Sequence, residues 1–300
     1  MCDPAVFKAN GHKAEDSLCA VFIGKRGDSY EHGGVRMDYL FTYCTEKGPE
    51  KTCNQDSLLV KKAVCGKERI LLAVICDGMG GLMQGEVASA SLVKAFSAWF
   101  EKELPRIISV PKMEQSLLWS WDILLKSMDR KIKAYGRQYY LKIGTAVTAL
   151  LLFRGEYYIA HVGDSRVYEL CDQVCQLTKD QTVAAWEAER GILTPAQAER
   201  SPGSSILLQC IGASETVEPV YMKGQIAKGA AYMLCCDGFR HVVSKEEMQQ
   251  TLFPFKRSDE KALKRRLEKL TALNRTRGEM DDISVIIIYP LEESRPVREK

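Results

Sequence analysis

Five aspartates stand at the edges of apolar, strand-like segments of the sequence. They are Asp56, Asp77, Asp164, Asp237 and Asp281. One aspartate in a turn needs no ligand, because its side chain can bond to the neighbouring backbone. If several strand ends meet, however, their carboxylates repel one another and lose hydration unless cations neutralise them. Oxygen ligands without a histidine or cysteine partner select Mg²⁺ or Mn²⁺ over Zn²⁺, so the pattern predicts a centre of hard divalent cations.

The carboxylate with the clearest setting is Asp77, in residues 71–89 (LLAVICDGMGGLMQGEVAS). An apolar, β-branched run ends at Asp77, glycine-containing turns follow, and a helical pattern begins at about Gln84. Gly78 permits close approaches that a side chain would block, so a backbone carbonyl can turn toward whatever Asp77 holds. Taken alone, this stretch is equally compatible with an ordinary strand-to-helix turn, and the other motifs must decide.

The composition is that of a globular protein long enough to bury a large core. The chain has 300 residues, of which 46% are hydrophobic and 27% are charged. Lysine and arginine total 42 against 39 aspartate and glutamate residues, so the charge balance does not indicate a protein that binds nucleic acid. The basic run at residues 255–269 is interpreted as the solvated face of a helix.

The cysteines indicate a reducing compartment. There are 11 of them at irregular spacing, and Cys76, Cys235 and Cys236 lie inside apolar runs, which predicts buried free thiols. Cys171 and Cys175 have no second ligand pair at zinc-finger spacing. No apolar run has the length of a membrane-spanning helix, and residues 1–25 lack the features of a signal peptide. We expect a cytoplasmic monomer without a membrane partner.

Hydrophobic periodicity predicts many strands and two pairs of longer helices. The predicted strands cover residues 37–44, 56–64, 70–76, 145–153, 156–163, 165–170, 173–177, 220–226, 231–236 and 283–289. The predicted helices cover residues 86–104, 113–135, 246–253 and 259–275. Residues 182–213 are interpreted as an inserted flap over a sheet edge. Strands interrupted by paired helices, without regular βαβ alternation, favour an α+β sandwich.

Seven motifs together resemble the metal-dependent serine/threonine protein phosphatases of type 2C, and their bacterial branch in particular. In chain order they are NQDSLL, AVICDGMGGLMQGEVAS, GTAVTALL, AHVGDSRVYEL, QLTKDQT, YMLCCDGF and GEMDDISVIII. The resemblance covers residues 37–290 and implies a four-layer α-β-β-α sandwich, with two antiparallel sheets between helix pairs. It divides the chain into an extension (1–34), a catalytic domain (35–292, with the flap at 182–213) and a tail (293–300).

The resemblance implies a role for each strand-end aspartate. Asp77 would bridge two metals, Mn²⁺ or Mg²⁺, and the carbonyl of Gly78 would bind one of them. Asp237 and Asp281 would complete the other, so that these two residues and Asp77 form the catalytic set. Asp56 would act mostly through bound water.

A third, weaker metal site is also implied by the resemblance, with Asp164 and Asp237 as ligands. The chemistry follows from two dications about 3.5–4 Å apart. As the resemblance implies, these ions would lower the pKa of a bound water and activate it for in-line attack on phosphorus, so that no covalent phosphoenzyme would be needed.

The sequence departs from the family pattern close to these aspartates. Lys51 stands where the family usually has an arginine that grips the substrate phosphate, and an ammonium loses the bidentate fork of a guanidinium. Gln55 replaces a frequent glutamate, and Asp282 replaces the usual asparagine. We interpret Gln55 and Asp282 as outer groups behind the ligands.

The resemblance implies an enzyme that hydrolyses phosphoserine and phosphothreonine in proteins. Its partners would be phosphorylated proteins and a cognate serine/threonine kinase. Lys51, Gln55 and Gln181 motivate an alternative, a weak or inactive member that acts as a phosphoprotein-binding or regulatory module. The presence of Asp77, Asp237 and Asp281 favours activity. A third hypothesis is a phosphatase for small phosphorylated metabolites, because a metal centre recognises the phosphate more than its carrier.

Overall fold

The computed structural model describes residues 23–25, 37–65, 68–79, 84–252 and 260–292. The predicted tail and most of the predicted extension lie outside these residues. The strands are β1 (Ile23–Lys25), β2 (Met37–Glu46), β3 (Ser57–Cys65), β4 (Glu68–Gly78), β5 (Thr145–Phe153), β6 (Glu156–Val162), β7 (Arg166–Leu170), β8 (Val174–Gln176), β9 (Val220–Gln225), β10 (Ala231–Cys235) and β11 (Ile283–Glu292).

Helices follow the apolar periodicity of the sequence. They are α1 (Gly85–Lys102), α2 (Leu104–Ile107), α3 (Met113–Tyr139), α4 (Val183–Glu189), α5 (Pro195–Ala198), α6 (Asp237–Arg240), α7 (Lys245–Leu252) and α8 (Glu260–Thr276). Within the part of the chain that the structure describes, no helix combines the length and the apolar character that crossing a bilayer requires.

Two sheets form the centre of the molecule. The first has the strand order β1-β3-β4-β5-β6-β9, and the second has the order β2-β11-β10-β7-β8. Neighbouring strands are antiparallel except for β1, which lies parallel to β3 with Ile23 opposite Ala63. The α+β sandwich of two antiparallel sheets is therefore confirmed, with one parallel edge strand added.

Three apolar clusters lie between the four layers of the sandwich. The layers are helices α1 and α3, the first sheet, the second sheet, and helices α7 and α8. Along β4, Leu72 and Val74 pack with α1 and α3, whereas Leu71 and Ala73 pack between the two sheets. A third cluster joins the outer face of the second sheet to α7 and α8. Because β4 and β5 are covered on both faces, their sequences are continuous apolar runs rather than alternating ones.

The strand register brings the aspartate-bearing ends together. In the first sheet, Ser57 at the start of β3 lies opposite Cys76 near the end of β4. In the second sheet, Cys235 at the end of β10 lies opposite both Val285 in β11 and Arg166 in β7. The loops that carry the predicted aspartates therefore emerge at one end of the sandwich.

Candidate metal centre

The predicted aspartates converge on Asp77. Burial raises the pKa of Asp77 well above its usual range, and the negative charges of Asp56, Asp237, Asp164 and Asp281 raise it further. Ligand atoms of Asp56, Asp77 and Cys236 lie within 4.8 Å of one another. The five carboxylates that stand far apart in the sequence thus share one electrostatic environment.

Asp56 has an unsatisfied oxygen in this environment. The residue is 9% exposed, and its Oδ2 is buried without a hydrogen-bond partner among the described residues. Burial raises the pKa of Asp56 to about 7, and the charges of Asp282 and Asp237 act in the same direction. A buried carboxylate oxygen without a partner is unfavourable, so the position fits a cation or a water bound to one.

The backbone around Gly78 is closely packed, as the sequence predicts. The N–H of Gly78 donates to the carbonyl of Gln55 at 3.2 Å, and the hydroxyl of Thr145 donates to the carbonyl of Asp77 at 2.8 Å. A Cβ atom at Gly78 would collide with the carbonyl of Gln55 and with the backbone of Gly85. Only glycine therefore allows the end of β4, the loop before β3 and the start of α1 to meet here.

Asp237 is held by a histidine that no sequence motif had assigned to the site. Nε2 of His241 lies 3.3 Å from Oδ2 of Asp237, and Nδ1 lies 3.0 Å from Oε2 of Glu279. Burial opposes the charged imidazole, but the hydrogen bonds to Asp237 and Glu279 outweigh it and raise the pKa of His241 to about 10. Burial likewise opposes the Asp237 carboxylate, whereas its bond to His241 lowers its pKa overall. The i, i+4 spacing of the two residues on a helix is the signal that could have revealed this pair.

Asp164 belongs to a network with two arginines. Arg166 forms a bidentate pair with Asp180, with Nε and Nη2 at 2.8 and 2.6 Å from its two oxygens. Nη2 of Arg240 lies 3.3 Å from Oδ2 of Asp164 and 3.5 Å from Oδ2 of Asp180. Burial raises the pKa of Asp164 to about 7, and Arg240 opposes this rise. No sequence pattern had pointed to Arg240.

Lys51 reaches the centre through Asp281 and Asp282. Its ammonium donates to Oδ1 of Asp281 and, at 3.0 Å, to Oδ2 of Asp282. Asp282 is 2% exposed and also accepts the backbone N–H groups of Gly48 at 2.8 Å and of Gln55 at 2.9 Å. Asp282 thus fixes the loop that carries Lys51 and Gln55. The carbonyl of Gln55 in turn accepts the N–H of Gly78.

Three cysteines and His161 are buried in the protein interior near the strand ends. The cysteines of the described residues are free, and Cys76, Cys235 and Cys236 are buried, which confirms the prediction from their apolar settings. The sulfur of Cys236 accepts the N–H of Ser284 at 3.0 Å, and burial raises its thiol pKa well above the usual range. His161 is buried between the Thr148 hydroxyl at 2.9 Å and the carbonyl of Lys179 at 3.0 Å.

Comparison with known proteins identifies the family. The family model of protein phosphatase 2C matches residues 46–272. Protein phosphatase PhpP of Streptococcus pneumoniae is 27% identical over 252 residues, which are 83% of this chain and 96% of PhpP. Serine/threonine protein phosphatase PstP of Mycobacterium tuberculosis is 29% identical over 221 residues, which are 73% of this chain and 40% of PstP.

Solved structures show the same fold. Serine/threonine phosphatase Stp1 from Staphylococcus aureus has a TM-score of 0.75 at 23% identity and covers 89% of this chain and 100% of its own. The catalytic domain of PstP, solved in complex with 2 manganese ions, has a TM-score of 0.67 at 25% identity and covers 85% and 99%. The four-layer fold and the family match agree, and the chain belongs to the protein phosphatase 2C family.

Proposed function

We propose that this chain hydrolyses phosphoserine and phosphothreonine in proteins at the carboxylate centre around Asp77. Family membership supports the reaction, since PhpP is a protein phosphatase and PstP is a serine/threonine protein phosphatase. The observation that carries the assignment of the site is the convergence of buried carboxylates on Asp77, with one oxygen of Asp56 left unpaired among the described residues. Divalent cations satisfy both features.

The residues fit Mn²⁺ or Mg²⁺. Asp77 and the carbonyl of Gly78 lie at the end of β4 in the first sheet, and Asp56 directly precedes β3 of the same sheet. Asp237 follows β10 and Asp281 precedes β11, both of the second sheet. We assign these groups as ligands, with Asp77 shared, because PstP binds manganese in the same fold. When bound, such ions activate water as a nucleophile and stabilise charge on the phosphoryl oxygens.

The surrounding side chains hold the ligands and the substrate. His241 orients Asp237, Asp282 fixes the loop of Lys51, and Lys51 offers an ammonium to a substrate phosphate beside Asp281. Met79, next to Gly78, has no titratable group. We therefore propose water, rather than residue 79, as the proton source for the leaving oxygen.

The reaction implies partners and a compartment. Phosphorylated proteins are the substrates, and a serine/threonine kinase must supply the phosphate that this enzyme removes. We place both in the cytoplasm, where the buried free thiols of Cys76, Cys235 and Cys236 stay reduced. We also propose that the chain acts as a monomer.

Removal of metal should abolish activity. With Mn²⁺, the purified chain is expected to release phosphate from a phosphothreonine peptide. EDTA should reduce the rate to background, and excess Mn²⁺ should restore it, because the carboxylates alone cannot activate water. Phosphate release is followed by a colorimetric assay, with the unphosphorylated peptide as a blank. A protein that binds the phosphopeptide but turns over none of it with Mn²⁺ or Mg²⁺ would instead be a binding module.

Replacement of Lys51 tests phosphate recognition. Lys51→Arg is expected to lower KM for the phosphopeptide by about 2- to 10-fold with little change in kcat, because a guanidinium forms two parallel bonds to phosphate. Initial rates over a range of substrate concentrations measure both constants. Lys223→Arg is the matched control, since Lys223 lies on β9 and pairs with Glu114. An unchanged or higher KM in Lys51→Arg would show that residue 51 does not bind the phosphate.

A further inference from the structure

Among the converging aspartates, Asp164 is the one whose carboxylate is contacted by an arginine. Nη2 of Arg240 is 3.3 Å from both the carboxylate Oδ2 and the backbone carbonyl of Asp164. The two side chains are 10% and 6% exposed, so solvent screens the pair only weakly. A guanidinium does not lose its proton in proteins, and this positive charge is therefore always present.

The second arginine of the network is already committed. Arg166 is fully engaged by the two oxygens of Asp180 and by the Tyr168 hydroxyl at 2.9 Å. Arg240 is therefore the group that balances Asp164. The two arginines and the two aspartates form an electrically neutral set without any metal ion.

The other charged side chains of the centre are not paired one to one. Lys51 lies against both Asp281 and Asp282, and His241 lies between Asp237 and Glu279. Asp56 and Asp77 have no side-chain cation within ion-pair distance among the described residues. A third dication at Asp164 would have no unbalanced carboxylate of its own and would stand beside the guanidinium of Arg240.

We propose that Arg240 takes the place of a third divalent cation at Asp164, so that this chain works with two metals. The inference rests on the metal centre proposed above and revises the third site that the family resemblance implies. Arg240 is also a positioning residue, because it lies in α6, the helix that begins with Asp237, and ties that helix to the loop of Asp164.

Metal stoichiometry tests the proposal without relying on activity. The full chain is dialysed against increasing Mn²⁺, and bound manganese is measured by plasma mass spectrometry. We expect the wild type and Arg240→Lys to saturate at about two equivalents. Arg240→Ser frees Asp164 and should bind a third, weaker equivalent, which the double variant Arg240→Ser/Asp164→Asn should lose. If Arg240→Ser binds the same number of Mn²⁺ equivalents as the wild type, the proposal is overturned.

A second comparison decides the matter even if Arg240→Ser does not fold. Asp164→Asn in the wild-type background should bind the same number of Mn²⁺ ions as the wild type. A wild type that binds three equivalents, one of which Asp164→Asn loses, would overturn the role of Arg240 while leaving the proposed phosphatase activity intact. A wild type that binds no Mn²⁺ and releases no phosphate would instead overturn the metal centre itself, and the inference with it.

Discussion

Asp77→Asn is expected to lower kcat by on the order of 10³-fold while leaving the metal-free protein at least as stable as the wild type. Loss of several kcal/mol of transition-state stabilisation corresponds to a rate effect of this size. The expected stability of the metal-free variant follows from the direction in which the pKa of Asp77 is shifted. Because burial and neighbouring charges raise the pKa of Asp77, its ionised form destabilises the metal-free fold at neutral pH, and an amide removes that charge.

The measurements are steady-state rates with Mn²⁺ and urea unfolding in EDTA. Asp172→Asn is the control for loss of one carboxylate, since Asp172 is exposed in the turn between β7 and β8. It should retain wild-type kcat. Asp77→Asn with substantial turnover would remove Asp77 from its assigned role, and a large loss of stability in EDTA would contradict the electrostatic account.

Gly238→Ala is expected to lower kcat/KM by on the order of 10²-fold, although the change adds only one methyl group outside the ligand set. A Cβ atom at Gly238 would overlap the carbonyl oxygen of Asp282 and lie 3.2 Å from Cβ of Asp281. The turn before β11 must then move away from α6, which separates Asp281 from Asp237. Displacements of about 1 Å at a reacting centre cost about 10²-fold in rate.

The matched control is Gly229→Ala at the other end of β10. Gly229 has a φ of 74°, and a Cβ atom added to it would meet no other atom within 4 Å, so its replacement strains the backbone without touching the centre. Thermal unfolding and kcat/KM are measured for both variants. Gly229→Ala should lose some stability and keep its activity. Equal activity of Gly238→Ala and the wild type would show that the turn tolerates the displacement.

Much of the fold follows from local sequence patterns. The continuous apolar runs of β4 and β5 indicate strands covered on both faces, and the structure buries both. The strand-end positions of Asp77 and Asp237 also follow from such patterns, because an apolar run that stops at a carboxylate marks the edge of the core. Their assignment as metal ligands stays a prediction.

Contacts between distant residues could not be predicted in this way. Arg240 and Asp164 are 76 positions apart, and His241 and Glu279 are 38 apart. Their pairing depends on which loops the sheet register brings together, and single-residue periodicity carries no information about that register. For the same reason, Lys51 could be placed near a phosphate by family resemblance, but its bonds to Asp281 and Asp282 could not be derived.

The ligands of the proposed centre stand at strand ends of both sheets. Asp77 lies in β4 and Asp56 precedes β3, whereas Asp237 follows β10 and Asp281 precedes β11. Ions bound by these residues would link the two sheets of the sandwich. Ligand linkage then adds about 2.7 kcal/mol to the unfolding free energy at a free-ion concentration 100 times Kd. The lifetime of this enzyme in a cell would therefore depend on the concentration of free manganese or magnesium. Metal starvation would then lower the amount of the protein as well as its activity.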